Sequence, residues 1–205
     1  MVLFYNGKST NFLNKVEFKS PHTIERELKT GNSVILYAAH FGNWEYFCTL
    51  LPLVLKGFEV YGLYRKISNP WIDDYIKSKR SRYGLKLLEK NRALKYILQN
   101  DRPAVFIFIA DQSPHIAQEG RKIEFLGIDT HFEVASERLV ENYGFKPYYL
   151  HCKVMSDKYE VEFTEMRNTK NIMNEYAKNL ERQILEEPVN WLWTHKRWKH
   201  RNNLY

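Results

Sequence analysis

The segment Ala38-Ala39-His40-Phe41-Gly42-Asn43-Trp44-Glu45 holds the residues best placed to do chemistry. A histidine closes an apolar run, a glycine turn follows, and a glutamate lies five residues on. Five residues within one helix would set the two side chains about 140° apart. They can meet only if His40 precedes a helix and Glu45 lies in its first turn. A carboxylate bonded to one imidazole nitrogen fixes the tautomer and raises the basicity of the other. His40 would then take a proton from a hydroxyl, a general-base task worth roughly 10²–10⁴ in rate. The plain alternative is a half-buried, capped histidine beside a glutamate that pairs with the helix N-terminus.

Such a pair must be positioned by a strand, a turn and a helix, and the rest of the chain repeats that alternation. Ser33–Ala39, Phe58–Tyr64 and Ala104–Ala110 read as strands, two of them apolar throughout. Tyr148–Val154 and Lys158–Thr164 read as a hairpin around Ser156-Asp157. Helices are expected over Asn43 to about Lys56, Pro70–Tyr83 with Asn69 as N-cap, Asn91–Asn100, Glu133–Tyr143 stopping at Gly144, and Asn168–Glu186. The expected class is therefore α/β, with a mostly parallel central sheet and helices on both faces. Ligands in such sheets gather at the carboxyl ends of strands, where His40 stands.

The chain has 205 residues, 44% apolar and 15% aromatic, enough for a real core and for one domain over 1–205, with 1–30 as a lead-in. Its net charge of +7 favours anionic partners. Between Tyr75 and Arg102 nine Lys or Arg stand against two acids, an excess equal to the charge of the whole chain. A second basic cluster covers His195–Arg201 around Trp198. Cys48 and Cys152 form no C-x-x-C, which argues against a disulfide scaffold or a Cys-rich zinc site. No apolar run approaches the roughly 18–20 residues of a membrane span, and Met1–Lys8 carries no long signal-like run.

The H-x-x-x-x-E spacing is similar to the signature of the glycerolipid and lysophospholipid acyltransferases. The string HFGNWE resembles that of the bacterial lipid A biosynthesis acyltransferases, the lauroyl/myristoyl branch. Further blocks follow in the same order. Tyr64-Arg65, then Asn69-Pro70 and a basic helix carrying Arg80, resembles a Y-R block. Ala110-Asp111-Gln112 resembles a D-Q block. Glu124-Phe125-Leu126-Gly127 before Thr130 resembles an F-F-G…T segment, with Glu124 and Leu126 departing from it. Trp193-Thr194-His195-Lys196-Arg197-Trp198-Lys199 is similar to a closing W-x-H-R-R-x-K. Members usually carry a hydrophobic anchor well before the histidine, whereas 39 residues precede His40 here and none forms one.

The resemblance implies transfer of a fatty acyl group from acyl carrier protein to a hydroxyl of a lipid A precursor or related glycolipid. Peripheral attachment to the cytoplasmic face of the bacterial inner membrane follows from it. His40 would deprotonate the acceptor and Glu45 would orient His40, with neither cofactor nor metal. Arg65, Asn43, Asp111, Gln112 and Arg80 would contact substrate, Arg65 suiting either an oxyanion or an acceptor phosphate. His115 and His131 match no block, and His195 suits a structural or a substrate role. A nucleic-acid or anionic-lipid binder without catalysis is the competing class, although no nucleic-acid-binding motif is present and no nucleic acid is expected. A metallohydrolase would need further ligands at zinc spacing, such as H-E-x-x-H, which the sequence does not offer.

Overall fold

A strand that is apolar at every position is stable only when both of its faces are covered. The structure, a computed structural model, describes residues 14–114 and 120–198 and shows how that cover is provided. Its first half runs β1 (Val16–Lys19), α1 (His22–Lys29), β2 (Val34–Ala38), α2 (Trp44–Val54), β3 (Glu59–Tyr64), α3 (Pro70–Arg80), β4 (Lys86–Glu89), α4 (Lys90–Gln99) and β5 (Ala104–Ile109). The second half runs β6 (Gly120–Phe125), β7 (Ile128–Glu133), α5 (Glu137–Tyr143), β8 (Lys146–Val154), β9 (Tyr159–Glu165) and α6 (Ile172–Glu186), followed by a 3₁₀ turn at Pro188–Asn190.

Seven strands form one sheet in the order β1-β9-β8-β2-β5-β3-β4. Neighbours are parallel except β8 and β9, which pair antiparallel as the expected hairpin. All five residues of β2 are buried. Successive strand residues point to opposite faces, and β8 shows what lies on each. The Tyr149 ring packs 5.8 Å from Tyr176 of α6, while Tyr148 lies within electrostatic reach of Arg26 and Glu27 of α1. The α/β class with a mostly parallel sheet is thus the one observed.

Local chemistry sets the helix ends. Asn69 caps α3 by accepting from the amides of Trp71 and Ile72 at 3.0 and 3.3 Å, with Pro70 at the first position. Gly144 ends α5 at φ 70°, a left-handed conformation that costs glycine little.

Two differences from expectation matter. The helix expected from Glu133 starts only at Glu137, because Glu133 is the last residue of β7. The small antiparallel ribbon of β6 and β7 turns at Leu126 and Gly127, both left-handed at φ 53° and 70°. The F-L-G part of the block at 124–130 is therefore the end of β6 and the ribbon's tip, and its Thr130 lies on β7. Among the described residues no helix is long and apolar enough to cross a membrane.

Candidate active site

Strands β2 and β5 lie side by side in register, with Ala38 opposite Ile109. Two residues further along each strand stand His40 and Asp111, and the register brings them together. The His40 Nδ1 lies 2.6 Å from Asp111 Oδ1, and the His40 amide donates to Oδ2 over 3.1 Å. The Trp191 indole donates to the same Oδ2 over 2.9 Å. Asp111 is almost wholly buried. Burial alone would raise its carboxyl. The hydrogen bond and charge of the His40 ring, then the Trp191 indole and the His40 amide, outweigh that effect and hold it below its ordinary value.

An ionised carboxylate only accepts, so Nδ1 of the neutral ring carries the hydrogen and Nε2 carries the lone pair. Gln112 Nε2 sits 3.0 Å from that Nε2 and donates to it. The edge of the ring is held by Trp44, whose centroid is 4.6 Å away. The turn that follows His40 is close-packed. Gly42, at φ 56°, adopts a backbone that strains other residues, and a Cβ there would crowd Cys152 Sγ at 3.3 Å.

His40 opens onto a cleft of about 790 Å³, within the range of small-ligand pockets. Glu45, Arg65, Arg80, Gln112 and His195 are among its polar lining residues. Gly62, Leu85, Leu87, Ala93 and Leu94 are among its apolar lining residues. Glu45 shares the cleft with His40, but its carboxylate accepts from Arg80 Nε at 2.7 Å. The carboxylate on the histidine ring is that of Asp111, not the expected Glu45. The reason is geometric. The register of two parallel strands sets Asp111 against Nδ1, whereas Glu45 projects from α2 toward α3. Cys48 and Thr49 of α2 also reach the cleft, and burial pushes the Cys48 thiol up to about 12.

The terminal block closes the site from behind. The Phe41–Trp191 bridge and the Leu192 amide, donating to the His40 carbonyl over 3.0 Å, lash it to the histidine turn. His195 Nε2 accepts from the Ser113 amide at 3.2 Å, and Arg197 bonds the Ser113 hydroxyl and the His131 carbonyl. The Arg197 guanidinium lies 4.6 Å from the centre of the Phe132 ring. Trp198 donates to the Thr130 hydroxyl over 2.7 Å. His195 and Arg197 thus hold Ser113, next to Gln112, while Arg197 and Trp198 hold β7, across separations of 66–84 residues.

His40, Glu45, Arg65, Arg80 and Gln112 therefore share the cleft wall, and Asp111 lies behind it. Asn43 sits at the N-cap of α2, its carbonyl accepting from Tyr46 and Phe47, outside the cleft lining. His115 and Lys199–Arg201 lie outside the described residues. Sequence reasoning passed over Trp191, which no block contained, and the partnership of Asp111 with His40. The signal for the latter was available: two apolar strands, each followed two residues later by a polar side chain.

The family model of bacterial lipid A biosynthesis acyltransferases matches residues 2–200, nearly the whole chain. A search of curated proteins returned no match. The chain belongs to the bacterial lipid A biosynthesis acyltransferase family.

Proposed function

We propose that this acyltransferase moves a fatty acyl group from acyl carrier protein directly to a hydroxyl of a lipid A precursor, with His40 as general base. His40 Nε2 takes the hydroxyl proton as the oxygen attacks the thioester carbonyl. The tetrahedral adduct collapses with cleavage of the C–S bond, and the departing thiolate recovers the proton from Nε2. Asp111 holds the productive tautomer and balances the imidazolium as it forms. Gln112 yields Nε2 to the incoming hydroxyl and turns its amide toward the developing oxyanion.

Glu45 acts one step removed from the imidazole, by fixing Arg80 in the wall of the cleft. Arg80 and Arg65 then receive the phosphates of the acceptor, for which a guanidinium fork is suited. The apolar lining residues, Leu85, Leu87 and Leu94 among them, take the acyl chain. Cys48 is no nucleophile in this reaction, since burial holds its thiol protonated at neutral pH. The acceptor is a membrane lipid, so the protein works at the cytoplasmic face of the inner membrane.

The observation that carries this reading is the 2.6 Å contact of Asp111 with His40 Nδ1, which leaves Nε2 as the acceptor nitrogen beside the cleft. Labelled acyl carrier protein offered with a panel of lipid acceptors tests it. Wild-type protein transfers label to a lipid A precursor, and folded His40→Ala protein transfers less than about one part in a hundred of that. Wild-type-like turnover by folded His40→Ala protein refutes the mechanism.

A further inference from the structure

Helix α3 buries its residues in an order opposite to that of an ordinary surface helix. Asp73 is its one buried residue, 2% exposed, whereas Trp71 is 82%, Ile72 43% and Tyr75 40% exposed. At 100° per residue, Trp71, Tyr75, Lys79 and Ile72 fall within an arc of about 100°, while Asp73 and Arg80 fall about 180–200° from Trp71. The two faces do different work. On the inner face Asp73 accepts from the Ile67 amide at 2.9 Å and pairs with Lys77, and Arg80 reaches Glu45 in the cleft. On the outer face Lys79 Nζ lies 5.2 Å from the centre of the Tyr75 ring. Large apolar side chains contiguous on a surface mark an interaction site.

We infer that the outer face of α3 docks on an anionic lipid bilayer, with Trp71 and Ile72 entering the interface and the surrounding cations meeting headgroup phosphates. Charge complementarity points to that partner. From Arg65 to Tyr83 six Lys or Arg stand against two acids, and both acids, Asp73 and Asp74, are bonded to Lys77. Lys79 stands on the apolar arc itself, and Lys66 and Arg82 lie in the segments of chain just before and after α3. Tryptophan and a long apolar side chain beside lysines, on one face of a short helix, is the composition of an interfacial helix. An acidic protein would be met by the same cations, but Trp71 and Ile72 at these exposures fit a bilayer better. The placement also serves the cleft. The loop from Arg65 to Asn69 is pinned to α3 through Asp73, so the docked helix carries the polar rim of the cleft toward the membrane. The inference rests on the proposed lipid acceptor only for its purpose, since docking itself needs no turnover.

Sedimentation with vesicles tests it, using full-length protein and either phosphatidylcholine alone or phosphatidylcholine with phosphatidylglycerol. The parent protein binds the phosphatidylglycerol vesicles, weakens as salt rises, and binds pure phosphatidylcholine poorly. The Trp71→Ala/Ile72→Ala variant, with unchanged circular dichroism, loses about tenfold or more in affinity for the anionic vesicles. It keeps its turnover on a detergent-dispersed acceptor. A Lys66→Gln/Lys79→Gln variant loses affinity and salt dependence together. His40→Ala protein binds vesicles as the parent does, which separates failure of docking from failure of the catalytic reading. The inference is overturned by parent-like vesicle binding of the Trp71→Ala/Ile72→Ala variant, by equal binding of the parent to both vesicle types, or by a variant whose only defect is a raised KM for acyl carrier protein.

Discussion

Replacing Asp111 by Asn keeps the shape of the side chain and reverses its hydrogen bonding. The carboxylate accepts three bonds, from His40 Nδ1, the His40 amide and the Trp191 indole. An amide has one acceptor oxygen, and it takes the Oδ2 place, where the indole and the backbone amide, which cannot turn away, both already donate. Its NH₂ group is left facing Nδ1. To accept from that group the ring must shift its hydrogen to Nε2, and the lone pair that should remove the substrate proton is then gone. The loss equals most of a general-base contribution, a factor of roughly 10²–10⁴ or about 2.7–5.4 kcal/mol of barrier. The assay is acyl transfer from labelled acyl carrier protein under saturating acceptor. The fall appears in kcat, with KM for both substrates within about threefold, since Asp111 lies behind the ring and touches no cleft wall. A folded Asp111→Asn protein within threefold of wild type, set beside a Glu45→Gln protein that is dead, would refute the reasoning and return the orienting task to Glu45.

Glu45→Gln frees Arg80 without touching the imidazole, so its effect falls on acceptor KM, which rises about tenfold or more. Arg80→Gln moves the same parameter, and the double variant is no worse than the sum in free energy; steady-state kinetics with varied acceptor check both. Cys48→Ser protein retains transfer within about threefold and accumulates no thioester-linked acyl enzyme, which mass spectrometry after rapid quenching would show. Acid weakens the site in a set direction. The Asp111 carboxyl is held below its ordinary value, so its contribution to stability is complete above about pH 5. It is lost as pH falls below the unfolded value of about 3.9 and through the lower folded one. Thermal melts of wild type and Asp111→Asn from pH 7 to pH 3 show a constant gap that closes at the acid end.

Much of this architecture was legible because it rests on local rules. Strands β2 and β5 are apolar at every residue and so announced burial on both faces. Asn69-Pro70 announced the start of α3, and Gly144 the end of α5. The ribbon of β6 and β7 was not legible, because its turn uses Leu126 in a left-handed conformation that its residue type does not advertise. At the site, His40 and its turn were visible from spacing. Its carboxylate partner was misjudged, because spacing along the chain favours a neighbour such as Glu45, and the true contact spans 71 residues. Strand order decides that contact. Once β2 and β5 are known to be neighbours in parallel register, the pairing of His40 with Asp111 follows without further information. Trp191 and Arg197 belong to the same class, since each acts on a loop about 80 residues away.

The indole of Trp191 ties assembly of the His40–Asp111 pair to synthesis of the polypeptide. Asp111 emerges from the ribosome well before its third donor, and the Leu192 amide that secures the histidine turn comes one residue later still. A nascent or prematurely stopped chain would own the imidazole proposed as base but not the scaffold that aims it. Competence therefore waits until residue 192 has been made, and a molecule clipped ahead of residue 191 would be silent rather than half active.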